Sequence, residues 1–193
     1  MPLTVDEIAR LLRVRGSQPC GREAVTPLEH ALQCAQLAEQ AGETPHTVVA
    51  ALLHDLGHLL LPRDEWHVGG DLHQHVAIPF LRGLLPDEVL EPIRLHVDAK
   101  RCLCCTEAGY WASLTPASKR SLELQGGAML FAQAQAFWVQ PHAEVALRLR
   151  RYDDRAKVPG LDTPPLAHYL AMLADVTLAS DRRLSERLLA VCD

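Results

Sequence analysis

Within the segment Ala50-Ala51-Leu52-Leu53-His54-Asp55-Leu56-Gly57-His58, three ionisable side chains interrupt an apolar run. A His-Asp pair is common by chance, but here its apolar flanks imply burial. Buried imidazoles and carboxylates must find partners, and a metal ion supplies one for several donors at once. Helical geometry brings further candidates to the same interior: His30 on the preceding helix, and His73, His96 and Asp153 on three later ones. Four imidazoles and two carboxylates exceed what a single open catalytic ion needs. They suit two neighbouring ions bridged by one carboxylate, and Asp55 is the natural bridge because its neighbour His54 holds one ion. A donor set without thiolates argues against structural zinc or an iron–sulfur cluster and favours iron, manganese or another borderline ion. Spacing leaves two choices open, His73 against His75 and Asp153 against Asp154. His46, His67, His142 and His168 read as surface or loop residues.

The elements that must position these donors are helical. Apolar residues recur every three to four positions and alternation by two is scarce. Thr4-x-x-Glu7 has the capping-box pattern and starts a helix ending near Val14; Thr26-Pro27-Leu28-Glu29 starts another ending near Ala41, with Gly42 as its stop. Thr44-Pro45 opens a helix expected to run through His54, Asp55 and His58 to Pro62. Further helices are expected at about 72–84, 87–98, 116–125, 128–137, 142–157 and 165–181. The sum is one all-α domain over residues 1–193, its core at about 20–160 and C-terminal helices at 165–190.

Composition narrows the function classes. With 193 residues, 48% hydrophobic and 22% charged, the chain is long enough to close a core and typical of globular proteins. A formal net charge of −5 without a basic run makes the chain a poor candidate for a general nucleic-acid binder. No apolar stretch approaches the ~20 residues of a membrane span, and the N-terminus carries no signal-peptide pattern, so a cytoplasmic protein is expected. The six cysteines are not spaced like a secreted framework; Cys102-Leu103-Cys104-Cys105 is read as packing cysteines, because no second CxxC accompanies it.

His30, His54-Asp55, His73, His96 and Asp153 resemble the H…HD…H…H…D pattern of the HD-domain superfamily in its dinuclear form. Leu28–Gln33, Leu53–His58, Pro92–Arg101, Ser118 with Ser121–Gly127, and Arg150–Lys157 are similar to the phosphonate-degrading HD-domain oxygenases, in order over roughly residues 20–160. The resemblance selects His73, which lies 23 residues before His96, and Asp153, which is followed four residues later by Lys157.

The resemblance implies an HD-domain helical bundle with a buried mixed-valence Fe(II)/Fe(III) pair and dioxygen as co-substrate. Asp55 would bridge; His30, His54 and Asp153 would hold one iron, His73 and His96 the other. The implied substrate is a 1-hydroxyphosphonate, 1-hydroxy-2-(trimethylamino)ethylphosphonate or 1-hydroxy-2-aminoethylphosphonate. Cleavage of its C–P bond would give glycine betaine or glycine plus inorganic phosphate. A 2-oxoglutarate-dependent phosphonate hydroxylase would supply it. His58 and Lys100 are the implied catalytic residues, and Glu23, His58, Lys100, Ser118, Arg150 and Cys20 the implied substrate contacts. Glu23 would meet the substrate's amine. Cys20 stands where the family has a Tyr, which hints at room for a bulkier ammonium. Tyr110 and Trp111 are candidates to face that cation. The competing reading is a metal-dependent phosphohydrolase acting on a phosphomonoester or nucleotide, since the same ions could activate water.

Overall fold

The computed structural model describes residues 2–19, 24–61 and 71–179. Among them are eleven helices: α1 (Val5–Val14), α2 (Pro27–Gln40), α3 (Pro45–Leu53), α4 (Leu56–Leu60), α5 (His73–Leu81), α6 (Asp87–Thr106), α7 (Tyr110–Ser113), α8 (Pro116–Leu124), α9 (Phe131–Trp138), α10 (Ala143–Arg155) and α11 (Leu166–Asp175). No strand occurs among the described residues. None of the described helices is long and apolar enough to cross a membrane.

Local sequence fixes several of the boundaries. Thr4 Oγ1 accepts from the Glu7 N–H at 3.2 Å while the Glu7 carboxylate accepts from the Thr4 N–H at 2.8 Å. Thr26 and Glu29 form the same reciprocal pair at the start of α2. Each pair satisfies two helix-start donors that would otherwise lack partners.

Two expectations about helix continuity need correction. The helix opened at Thr44-Pro45 ends at Leu53, and a second one begins at Leu56. Asp55 takes φ −98°, ψ 9°, in the sparsely populated bridge region, which interrupts the helix. Conversely, α6 runs to Thr106 rather than stopping near residue 98, because its cysteine-rich second half is packed. The four-residue α7 was not anticipated.

Two apolar clusters meet along α6. The larger gathers α1, α2, α3, α5, α11 and the first half of α6, with Ile8, Leu52, Leu81, Ile93 and Tyr169 fully buried. The smaller gathers the second half of α6 with α7, α8 and α9, around Leu95, Cys102, Tyr110 and Phe137. Cys102 is buried there with Cys104 and Cys105 packed alongside, all as free thiols, in keeping with a packing role. The helix α10 lies along α6 and contributes to both clusters. One glycine is sterically required near the site: a Cβ on Gly57 would stand 2.0 Å from the His73 carbonyl oxygen. Only glycine lets α4 approach α5 this closely.

Candidate metal centre

His30 comes from α2, His54 and Asp55 from the turn between α3 and α4, His73 from the start of α5, His96 from the middle of α6 and Asp153 from α10. The structure brings all six together. His30 Nε2 lies 3.3 Å from His54 Nε2, 3.7 Å from Asp55 Oδ2 and 3.4 Å from Asp153 Oδ1. His73 Nε2 lies 3.0 Å from His96 Nε2 and 3.1 Å from Asp55 Oδ1. Asp55 therefore touches both groups: its Oδ1 is also 3.5 Å from His54 and 3.7 Å from His96. Its side chain is 35% exposed while the four imidazoles are buried, so it opens onto the adjoining cavity.

Hydrogen bonding at the far side of each ring sets the tautomers. Nδ1 of His30 donates to the Ala156 carbonyl at 2.8 Å, that of His54 to Ala51 at 2.9 Å, and that of His96 to Ile93 at 2.7 Å. Nδ1 of His73 donates to the Asp71 carboxylate at 2.5 Å. Carbonyl and carboxylate oxygens only accept, so every Nδ1 carries its hydrogen and every Nε2 points its lone pair inward. Lone pairs converging at 3.0–3.3 Å repel unless a cation lies between them. These separations match the edge of a coordination polyhedron with bonds of about 2.1 Å, roughly 3.0 Å for adjacent octahedral ligands. The donors fit a metal ion on both sides of Asp55.

Without an ion, protons take its place, and the titration of the cluster reflects this. Burial opposes the charged form of every imidazole. For His73 the hydrogen bonds to Asp55 and Asp71 overcome it, raising the group to about 9. His30 is likewise pushed up, by Cys34 and Asp153. For His54 burial prevails, and for His96 burial and the charge on His73 act together, so both are held down. Asp55 and Asp153 stay well below the usual carboxylate range, since cationic neighbours outweigh burial.

A cavity of about 440 Å³ opens over this floor, a size suited to a small ligand. Its opposite wall is cationic. The Lys100 ammonium donates to Ser121 Oγ at 2.7 Å, and the Lys157 ammonium donates to Ser118 Oγ at 3.0 Å. Burial and the nearby Arg150 charge lower Lys100 to about 8. Arg150, only 3% exposed, is committed to carboxylates: one nitrogen lies 2.6 Å from Asp153, another donates to Asp154, and Nε donates to the Tyr110 hydroxyl at 3.2 Å. It borders the cavity while holding Asp153 in place. His58 also lines it, stacked on His73 at 4.0 Å between ring centroids, and burial with the His73 charge depresses it to about 4.

His75 is exposed, and Asp154 pairs with Arg150 and Tyr110 instead of the cluster. Tyr110 and Trp111 do not border the cavity: the Tyr110 hydroxyl donates to Asp154 at 2.6 Å, and Trp111, 57% exposed, lies under the Lys119 ammonium. Cys20 and Glu23 fall outside the described residues. Ser121, Lys157, Asp71 and Gln125, which line the cavity, were not singled out from the sequence as site residues, and neither was Cys34 beside His30. The Cys34 thiol is 3.7 Å from His30 Nε2, one helical turn away, and burial pushes it up. Asp71-x-His73 was a readable signal, because a carboxylate near a ligand histidine commonly orients it.

The HD domain family matches residues 28–116, which run from α2 into α8. A hydroxymethylphosphonate dioxygenase of Gimesia maris is 44% identical over 156 residues, 76% of this chain and 75% of its own. A 1-hydroxy-2-(trimethylamino)ethylphosphonate dioxygenase (glycine-betaine-forming) of Leisingera caerulea is 33% identical over 172 residues, 88% of each chain. An uncharacterised protein of Acanthamoeba polyphaga mimivirus is 32% identical over 177 residues, 89% of this chain and 80% of its own. With that identity over three quarters of its length, and with this helical bundle and His/Asp cluster, the chain belongs to the HD-domain family, among the HD-domain phosphonate oxygenases.

Proposed function

We propose that this protein is an iron-dependent dioxygenase that cleaves the C–P bond of a 1-hydroxyphosphonate, releasing a carboxylic acid and inorganic phosphate. One observation carries the reading: a single cavity has converging lone pairs on its floor and converging cations on its wall. That pairing suits an anionic ligand held between metal and ammonium groups. The names of the two characterised relatives support oxidative over hydrolytic chemistry.

In this reading His30, His54 and Asp153 hold one iron, His73 and His96 the other, and Asp55 is shared. The bound pair would activate dioxygen and act as a Lewis acid toward the substrate's oxygens. Lys100 and Lys157, with Ser118 and Ser121, hold the phosphonate oxygens by charge-assisted hydrogen bonds. Arg150 keeps Asp153 ionised and oriented. His58, neutral at physiological pH, contacts the substrate beside the Asp55 carboxylate. Burial of the floor keeps bulk water from the reacting carbon.

The substituent on the carbon bearing the hydroxyl is read from the residue types at Cys20 and Glu23. Glu23 favours a 2-amino or 2-trimethylamino substrate, giving glycine or glycine betaine. The more similar Gimesia relative favours hydroxymethylphosphonate, which with one dioxygen balances to formate and phosphate. We assign the enzyme to the cytoplasm, downstream of a 2-oxoglutarate-dependent hydroxylation that installs the 1-hydroxyl.

The test is phosphate release from these three phosphonates by iron-loaded protein, with oxygen uptake recorded. One dioxygen consumed per phosphate is expected for at least one substrate, and no release without air. Equal release under anaerobic conditions would replace this reading with hydrolysis.

A further inference from the structure

Three of the four cluster imidazoles anchor their far nitrogen on a backbone carbonyl of Ala156, Ala51 or Ile93. His73 alone uses a side chain, the buried carboxylate of Asp71, at 2.5 Å. Asp71 precedes α5, so no helical repeat holds it in place. Its second oxygen accepts from Gln125 Nε2 at 2.7 Å, across 54 positions of sequence. Gln125 caps the C-terminus of α8 and lines the cavity.

A carboxylate cannot donate, so the Gln125 amide is fixed with its NH₂ toward Asp71. Its carbonyl oxygen Oε1 is then buried with no hydrogen-bond partner among the described residues. A buried acceptor of that kind costs free energy until a donor meets it. An ionised phosphonate oxygen offers no hydrogen, so the group it receives is a hydroxyl, a protonated phosphonate oxygen or an ammonium N–H.

We propose that Asp71 is a positioning residue that sets two groups at once: the His73 ring toward its metal, and the Gln125 carbonyl toward a hydrogen-bearing group of the ligand. The metal half of this statement rests on the reading of the cluster as an iron site. Asp71 links the floor of the cavity to its α8 wall, so altering it disturbs metal retention and ligand recognition together. Altering Gln125 falls chiefly on ligand recognition and disturbs metal retention less than altering Asp71, because Asp71 keeps its charge and its bond to His73.

Equilibrium dialysis of the purified protein against Fe(II) under anaerobic conditions, with circular dichroism as a check on folding, separates the outcomes. Wild type is expected to bind two Fe(II) per chain. Asp71→Asn is expected to weaken retention at one of them by about 10–100-fold, as for other carboxylates behind ligand histidines. Asp71→Glu, which keeps the charge, is expected to recover part of that loss. It also serves as the probe if Asp71→Asn fails to fold. Gln125→Leu is expected to weaken Fe(II) retention less than Asp71→Asn does, while raising KM for the active hydroxyphosphonate about tenfold, the cost of one hydrogen bond at the upper end of its usual range. Wild type binding two Fe(II), with Asp71→Asn or Asp71→Glu indistinguishable from it, would overturn the proposal and leave the iron reading standing. Gln125→Leu with an unchanged KM would overturn the ligand half. Wild type that retains no Fe(II) would overturn both the proposal and the iron reading.

Discussion

The floor of the cavity, drawn from α2, α5, α6, α10 and the turn between α3 and α4, presents imidazole nitrogens and carboxylate oxygens whose lone pairs all face inward. Its wall, drawn from α6, α8 and α10, presents ammonium groups seated on serine hydroxyls. The floor is built by rings whose far nitrogens are tied to three backbone carbonyls and one carboxylate, so its geometry comes with the bundle itself. The wall is built from long side chains whose positions depend on pairs such as Lys100–Ser121 and Lys157–Ser118. Each surface is thereby suited to a different ligand. Converging acceptors call for a cation and converging donors for an anion, and the two meet over one cavity.

The largest effect should come from breaking the floor at the residue both halves share. Asp55→Ala removes the carboxylate that contacts His30, His54, His73 and His96. Metal analysis should find most of the iron gone, and turnover should fall by far more than the ~100-fold typical of changes to groups that merely support a ligand. Full activity in an iron-free Asp55→Ala protein would dissolve the distinction between the two surfaces.

The next effect concerns the residue standing between floor and wall. Arg150→Ala leaves the buried Asp153 and the half-buried Asp154 without the guanidinium they share. Breaking a buried pair in this way costs about 3–5 kcal/mol, which for a chain of this size lowers Tm by on the order of 10 °C. Thermal unfolding by circular dichroism checks this, and an unchanged Tm would mean that Arg150 serves the ligand and not the carboxylates.

The smallest effect tests the wall alone. Lys100, lowered to about 8, is cationic below that pH and neutral above it. A raised pH therefore removes a positive charge from the wall, and kcat/KM for a dianionic phosphonate should decline above about pH 8. The fall is at most tenfold per pH unit, because kcat/KM reports the free enzyme's groups. Lys100→Arg, which stays charged, should move this limb to higher pH. A profile identical in wild type and Lys100→Arg would detach Lys100 from ligand binding.

The same contrast explains how much was legible in the sequence. The floor residues occupy helix interiors with apolar flanks, so residue type and order alone mark them as facing inward. The capping boxes at Thr4 and Thr26 were equally readable, because each is a contact across three residues. The break at Asp55 was not, since apolar periodicity continues through a single residue in the bridge region. The length of α6 was underestimated because its last turns are cysteines and polar residues whose burial depends on α7, α8 and α9. Asp71 two residues before His73 was readable, but its pairing with Gln125 and the Lys157–Ser118 pair were hidden because the partners are 54 and 39 positions apart in the chain. Tyr110 and Trp111 were suitable in type for an ammonium site, yet the fold gives them to Asp154 and Lys119.

Whether two irons share Asp55 is read directly by anomalous diffraction at the iron absorption edge from iron-loaded crystals. Two anomalous peaks are expected, one among His30, His54 and Asp153 and the other beside His73 and His96, with Asp55 between them. A single peak, or peaks away from Asp55, would contradict a shared Asp55.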